Sequence, residues 1–443
     1  MQHREFPPTE VGVPTTTVPD QPSLGPSPEV SVPPGRIGSI QAGLKTTFDS
    51  VNLPAFRWLW LANTGFFAAM QMQQVAQGWL VYELTGDPLS LGGVSAGTGI
   101  AMLVCSLFGG VLADRVVKRD LLIVTQIALA LIAASIAGLI VTGQVQYWHM
   151  LVGSIVSGIV FSFNLPARQS LVPEVVGERH LANAVALNAS GMNLMRIAAP
   201  AFAGLLLAAI GAGGVYLSMV ACYAFVVAMM MLVPRMLPRK SGRASVVADL
   251  REAGAYLVAN PTVVTLIGAE FLLVLLGMPY QTLLPIFAKD VFAVGPSGLG
   301  ALLSAVGIGS LVGSLAVASL ARWPHRGLLL LSSGLLFGLG LLGFALSPTI
   351  VSATLCLGVA GIGNSAYFAL NNALVMGIVD ARMRGRVMSV YGFTFGLQPL
   401  GTVPLSAIAG SYGAPVAVGL ASTLLVVGMV LVLTLRPTIR RLA

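Results

Sequence analysis

Two ionisable side chains stand inside long apolar runs of this 443-residue sequence, and they are the residues best placed to do chemistry. Glu270 is the only carboxylate within an expected membrane span, ~14 Å into the seventh at the helical rise. Retaining a charge at that depth costs about 2.5–3.5 kcal/mol on insertion scales. A carboxyl there can hold a proton in apolar surroundings and release it when they open to water, which is the chemistry of proton coupling. The plainer alternative is a carboxylate locked to a basic or amide partner as a packing device. Arg196, in the fifth span, is read as the only cation inside a span, and a guanidinium stays charged. It must hold a partner: a carboxylate, a backbone carbonyl or an anionic group on a substrate. Glu270 and Arg196 are the candidates for coupling.

A third concentration of charge is the turn GVLADRVVKR, with Gly110, Asp114, Arg115, Lys118 and Arg119. It joins Ser90–Ala113 to Leu121–Val141, each long enough to cross a bilayer. Any cytoplasmic loop collects cations. A carboxylate among several cations can also gate, by holding neighbouring helix ends together. Polar side chains recur on three spans. Gln71 and Gln74 are i, i+3 neighbours, Gln73 and Gln77 an i, i+4 pair, and Asn164 lies near the inner end of the fourth span. On the tenth, Asn364, Tyr367 and Asn371 share one face. With Phe66, Phe67, Met70, Met72 and Phe163 nearby, these amides describe an amphipathic cavity. Gln71, Gln74, Asn164, Asn364, Tyr367 and Asn371 are therefore the candidate substrate contacts. Amide bonding between packed helices is the competing account.

The elements that position them follow from composition. The chain is 56% hydrophobic and 9% charged, with mean hydropathy +0.87, whereas soluble domains carry about 25% charged residues. Twelve apolar runs are expected, at about 57–82, 90–113, 120–142, 147–168, 182–210, 214–234, 261–288, 297–320, 327–346, 349–376, 386–410 and 413–435. Of 24 Lys and Arg, Lys289 alone falls in an external loop, so the positive-inside rule puts both termini in the cytoplasm. Residues 1–47, with nine prolines from Pro7 to Pro34, read as a disordered cytoplasmic tail. Residues 48–235 form one six-helix bundle, 236–260 a linker with an amphipathic helix, and 261–443 a second bundle. That helix lies on the membrane surface or packs beneath the bundle.

The halves repeat. Gly110-Val-Leu-Ala matches Gly313-Ser-Leu-Ala and Leu171-Val172 matches Leu374-Val375, both 203 residues on, and Pro200 matches Pro404 at 204. The second copy of the basic turn has Val317 and Ala318 for the Asp-Arg pair and keeps only Arg322. The expected fold class is all-α integral membrane, twelve transmembrane helices in two pseudo-symmetric six-helix bundles.

Several functions are set aside. The net charge of +8 is scattered between apolar runs, which argues for membrane orientation and against a nucleic-acid partner. The four histidines lie far apart, so no metal site is expected, and Cys105, Cys222 and Cys356 read as packing residues. Gly93-Val-Ser-Ala-Gly97 and Gly361-Ile-Gly-Asn-Ser-Ala366 mimic enzyme loops but lie within spans, so no enzyme is expected. There is no Walker A sequence and no cofactor is expected. No cleavable signal peptide is visible, and the first span can direct its own insertion.

The basic turn, Gly-x-x-x-Asp-Arg-x-x-Lys-Arg, resembles the signature loop of the major facilitator superfamily, with Val117 at a usual glycine. From Asn164 to Gly204, the Pro-x-Arg-Gln run, the Leu-x-Asn-Ala run and the Arg-x-x-x-Pro step resemble the enterobactin-exporter and macrolide-efflux branch. Ala199-Pro200-Ala201-Phe202-Ala203-Gly204 resembles the antiporter element of the fifth helix, alanines replacing most of its glycines. The resemblance implies export by proton antiport with alternating access, and Asp114 capping the eleventh helix near Arg384 and Arg386 in the outward-open state. The arginine that many antiporters carry midway along the fourth helix is read as missing, which shifts weight to Glu270 and Arg196. The function expected is a proton-coupled exporter of amphipathic small molecules, drug or siderophore type, in a bacterial cytoplasmic membrane, working as a monomer with protons and the lipid bilayer as partners. A lysophospholipid flippase of the same fold and a non-transporting scaffold or receptor are the alternatives.

Overall fold

The computed structural model describes residues 49–236, 246–320, 323–380, 382–440 and 442, and the side chains of all these but 49, 51, 107–115 and 246–250. The expected tail, part of the linker and Arg322 lie outside them. The described residues form helices and turns, with no strand among them.

Prolines open many of the helices. Pro54, Pro261, Pro296, Pro399 and Pro415 sit in first turns, where the missing N–H costs nothing. The first three spans are Pro54–Thr85, Pro88–Arg115 and Lys118–Val141. Next comes one helical run, Tyr147–Met231, broken at Gly177 (φ 66°, ψ 176°) and Gly211 (φ 71°, ψ −179°). That backbone geometry is open to glycine and almost nothing else. The run therefore divides into the fourth to sixth spans, 147–176, 178–210 and 212–231. The linker helix Val246–Ala259 follows, then the seventh span Pro261–Val291, the eighth Gly295–Ser319, the ninth Arg326–Ala345 and the tenth Ile350–Ile378. The eleventh is Arg384–Gly396 continued by Pro399–Tyr412, and the twelfth Ala414–Leu435.

Among the described residues, eight helices are long and apolar enough to cross a membrane. The triple run counts once among them. The glutamine-bearing first span and the broken eleventh fall outside. The described chain is thus consistent with twelve crossings. Large apolar side chains such as Leu131 (63% exposed) and Leu355 (67%) point outward, as lipid contact requires.

The fourth span departs most from expectation. It is expected at about 147–168, yet the helix runs on to 176 through Pro166 and Pro173. Prolines are tolerated within helices inside a bilayer. The loop expected after it shrinks to Gly177, and Arg168 comes to lie inside the span.

The two halves meet mainly through span 5 against span 8 and span 2 against span 11. Gly204 and Gly300 allow the first contact: a Cβ on Gly204 would lie 2.7 Å from the Pro296 carbonyl, and one on Gly300 2.6 Å from that of Pro200. Ser304 donates to the Ile197 carbonyl across the same seam (2.7 Å). Span 1 meets span 7 through Gln74 and Gln281 (3.0 Å) and through the Tyr82 hydroxyl donating to Asp290. All these contacts lie at mid-membrane or toward the face opposite the basic turn. At the basic-turn face the linker helix joins the start of span 11, through Glu252 with Arg386 (2.9 Å) and Tyr256 with the Asp380 amide (3.3 Å).

Candidate functional site

Glu270 lies at the end of the regular part of span 7, which continues as a π-turn over Leu273–Gly277. π-turns commonly mark functional stretches of helix. Its carboxyl is fully buried. Asn371 of span 10 donates its amide N–H to Glu270 Oε2 at 3.1 Å. The hydroxyls of Tyr391 and Thr394, on span 11, flank the same carboxyl, and Tyr367 lies near it on span 10. Among the described residues Glu270 Oε1, Asn371 Oδ1 and the Tyr367 hydroxyl have no hydrogen-bond partner. Two orphaned acceptors and one orphaned hydroxyl thus share a buried site. Such groups cost about 1–3 kcal/mol each unless a proton or water completes them.

The other half holds a matching cluster around Arg168. This side chain is 3% exposed. It donates to Asn63 Oδ1 on span 1 and to Asn164 Oδ1 within its own helix (3.2 Å). Its guanidinium lies 4.1 Å from the centre of the Phe66 ring. Asn164 donates onward to Thr125 of span 3 (2.7 Å) and Asn63 to Asn188 of span 5 (2.7 Å). No carboxylate joins this network among the described residues.

A third cluster sits at mid-membrane. Arg196, half-buried on span 5, interacts electrostatically with Tyr280 of span 7. Gln281 donates to the Tyr280 hydroxyl (3.4 Å) and accepts from Gln74 (3.0 Å). Gln73 and Gln77 bond to each other (3.3 Å) and face a small crevice with Ser154 and Ser157 inside the first half.

At the basic turn, Lys118 pairs with Glu174 at the end of span 4, and Arg119 donates to the last-turn carbonyl of Met231 (2.8 Å). Asp120 pairs with Arg235 (3.0 Å). Both Lys118 and Arg119 therefore tie their own half together. The side chains of Gly110's neighbours Asp114 and Arg115 lie outside the described residues, so the contact expected of Asp114 lies outside them too. Arg384 donates to the Val379 carbonyl (3.2 Å) and Arg386 pairs with Glu252.

Residues 45–440 match a family described as transmembrane secretion effector. The chain belongs to this family of major facilitator superfamily transporters. Similar proteins include the staphyloferrin A transporter of Staphylococcus aureus, 24% identical over 77% of this chain and 86% of that one. The multidrug efflux pump Tap of Mycolicibacterium fortuitum is 25% identical (79% and 89%), and the enterobactin exporter EntS of Escherichia coli 26% (86% and 92%). The nucleoside transporter NupG superposes with a TM-score of 0.67 at 15% identity, covering 86% of this chain and 99% of its own. A bacterial homologue of the lysosomal transporter Spinster gives 0.69 at 15%, covering 85% and 94%. These structures share the fold.

Within this superfamily fold, the residues singled out from sequence separate into three places. Glu270 meets Asn371 and Tyr367, both expected as cargo contacts. Asn164 is fully buried in the Arg168 network. Gln74 reaches Gln281 near Arg196. Among the described residues, half-buried Gln71 makes no hydrogen bond and the buried Asn364 amide nitrogen has no partner. Arg196 and Glu270 are not joined. Arg168 corrects one expectation: it is a second cation buried inside a span, toward the basic-turn end of the fourth. Sequence reasoning also passed over Asn63, Asn188, Gln281 and Tyr391. The repeat could have found them. Arg168 and Asn371 are 203 residues apart, as are Asn188 and Tyr391, while Asn63 and Glu270 each follow a helix-opening proline, Pro54 or Pro261, by nine residues.

Proposed function

We propose that this transporter exports amphipathic small molecules of drug or siderophore type in exchange for protons, by alternating access across a bacterial cytoplasmic membrane. The observation that carries this reading is the Glu270 carboxyl, fully buried beside Asn371 and the Tyr367, Tyr391 and Thr394 hydroxyls, with its Oε1 making no hydrogen bond among the described residues. The acid form of Glu270 removes the buried charge from this site. The ionised form, buried this way, costs several kcal/mol. A sheltered site that tolerates the neutral acid and opposes the carboxylate links protonation to conformation. When the proton leaves, the bundle must open to water or to cargo, and a proton taken up on the other side permits it to close again.

The relatives support the direction, since two of them are an efflux pump and an exporter. The seams between the halves lie opposite the basic turn, which fits an arrangement open toward the cytoplasm with both termini there. Lys118 and Arg119 then hold their own half in this state and are free to gate in the other. The domain boundaries at 48–235, 236–260 and 261–443 and a monomeric state belong to the same proposal.

Purified full-length protein in proteoliposomes tests it. An imposed pH gradient should drive uptake of amphipathic substrates into inverted vesicles, and Glu270→Gln should reduce this to the level of empty liposomes. Full activity in that variant would remove the coupling role, as would indifference of the native protein to the gradient.

A further inference from the structure

The coupling scheme leaves Arg196 without a task. A guanidinium stays charged and is costly to leave unpaired inside a membrane. Yet among the described residues Arg196 has neither a hydrogen bond nor an ion pair. The acids that could have served are engaged elsewhere: Glu270 with Asn371, Asp290 with Tyr82, Glu174 with Lys118. Its one electrostatic neighbour among the described residues is the Tyr280 hydroxyl, to which the linked amides of Gln281 and Gln74 lead. Three spans, the first, fifth and seventh, bring these side chains together at mid-membrane. About two helical turns further along span 5, Gly204 seals against span 8. Arg196 thus sits half-buried at the basic-turn end of this seam, its carbonyl 2.7 Å from where a Cβ on Gly307 would lie.

A planar fork of N–H donors suits a carboxylate, which it grips through two parallel bonds. Resting on the exporter reading above, we propose that the cargo carries a carboxylate that docks on Arg196, while Gln74, Gln281 and Tyr280 take its neighbouring polar groups. The proposal gives the two membrane-embedded charges separate work: Glu270 handles the proton, Arg196 selects the cargo.

The test uses full-length protein in nanodiscs and two probes, pyrenebutyrate and deoxycholate, each against its methyl ester. The native protein should bind the carboxylates about tenfold tighter than the esters. Arg196→Gln should abolish that preference, Arg196→Lys should keep part of it, and Glu270→Gln should keep it. Equal affinity for acid and ester in the native protein overturns the inference, as does a preference that survives Arg196→Gln. If Arg196→Gln does not fold, retention of full preference in Arg196→Met or of none in Arg196→Lys decides against it. Indifference of the native protein to a pH gradient in proteoliposomes, with the preference intact in nanodiscs, would count against the coupling scheme alone.

Discussion

Arg168 and Glu270 belong to matching clusters in the two halves, and each cluster ties spans 1, 4 and 5 or their counterparts 7, 10 and 11. In the first half hydrogen bonds run Asn188–Asn63–Arg168–Asn164; in the second Asn371 bonds Glu270, with Tyr391 and Tyr367 beside that carboxyl. The positions correspond, but the charges are exchanged. The first half has a permanent cation at the span 4 position and an amide on span 1. The second has an amide on span 10 and an acid on span 7. The first cluster reads the same at every pH, whereas the second can gain or lose a proton. On the coupling proposed above, one half would act as a fixed body and the other as the titrating one.

The largest effect should come from making the second cluster resemble the first. Asn371→Arg gives Glu270 a permanent cation and removes its need for a proton. Gradient-driven transport should fall to background in proteoliposomes while the variant still elutes as a folded monodisperse species. Retained coupling would break the comparison. Next, Arg168→Met leaves the Asn63 and Asn164 oxygens buried without their donor, and should cost about 2–4 kcal/mol. Thermal unfolding in detergent checks this, and Arg168→Lys should rescue little because a point charge cannot serve both amides. Third, Gly300→Val forces a side chain against the Pro200 carbonyl and should hold the halves apart opposite the basic turn. Thiol labelling of a cysteine placed at Ser304 should rise several-fold. The smallest effect is expected from Asn63→Asp. An acid facing Arg168 stays paired, so the pH profile of transport should keep its shape, and a new titration step would contradict the fixed-body account.

How far the sequence carried these assignments differs from element to element. Hydropathy, the repeat and the basic turn were enough for an all-helical membrane fold of this superfamily, because apolar length and cation bias are one-dimensional signals. The fourth span runs further than expected because prolines are tolerated in helices within lipid, and Arg168, expected at its edge, lies inside it. The tenth span was read as one polar face, Asn364, Tyr367 and Asn371, but helical spacing alone does not tell whether that face meets cargo or a neighbouring helix. Asn371 meets Glu270. Gln281 and Tyr391 were missed because a lone glutamine or tyrosine in an apolar run resembles ordinary packing until a partner appears from another span.

The most direct check is the proton itself. Purified full-length protein in weakly buffered detergent, with a pH-sensitive dye, should release a proton when saturating cargo is added, and Glu270→Gln should release none while still binding that cargo. Equal release from the native protein and Glu270→Gln would place the titrating group elsewhere and contradict the account.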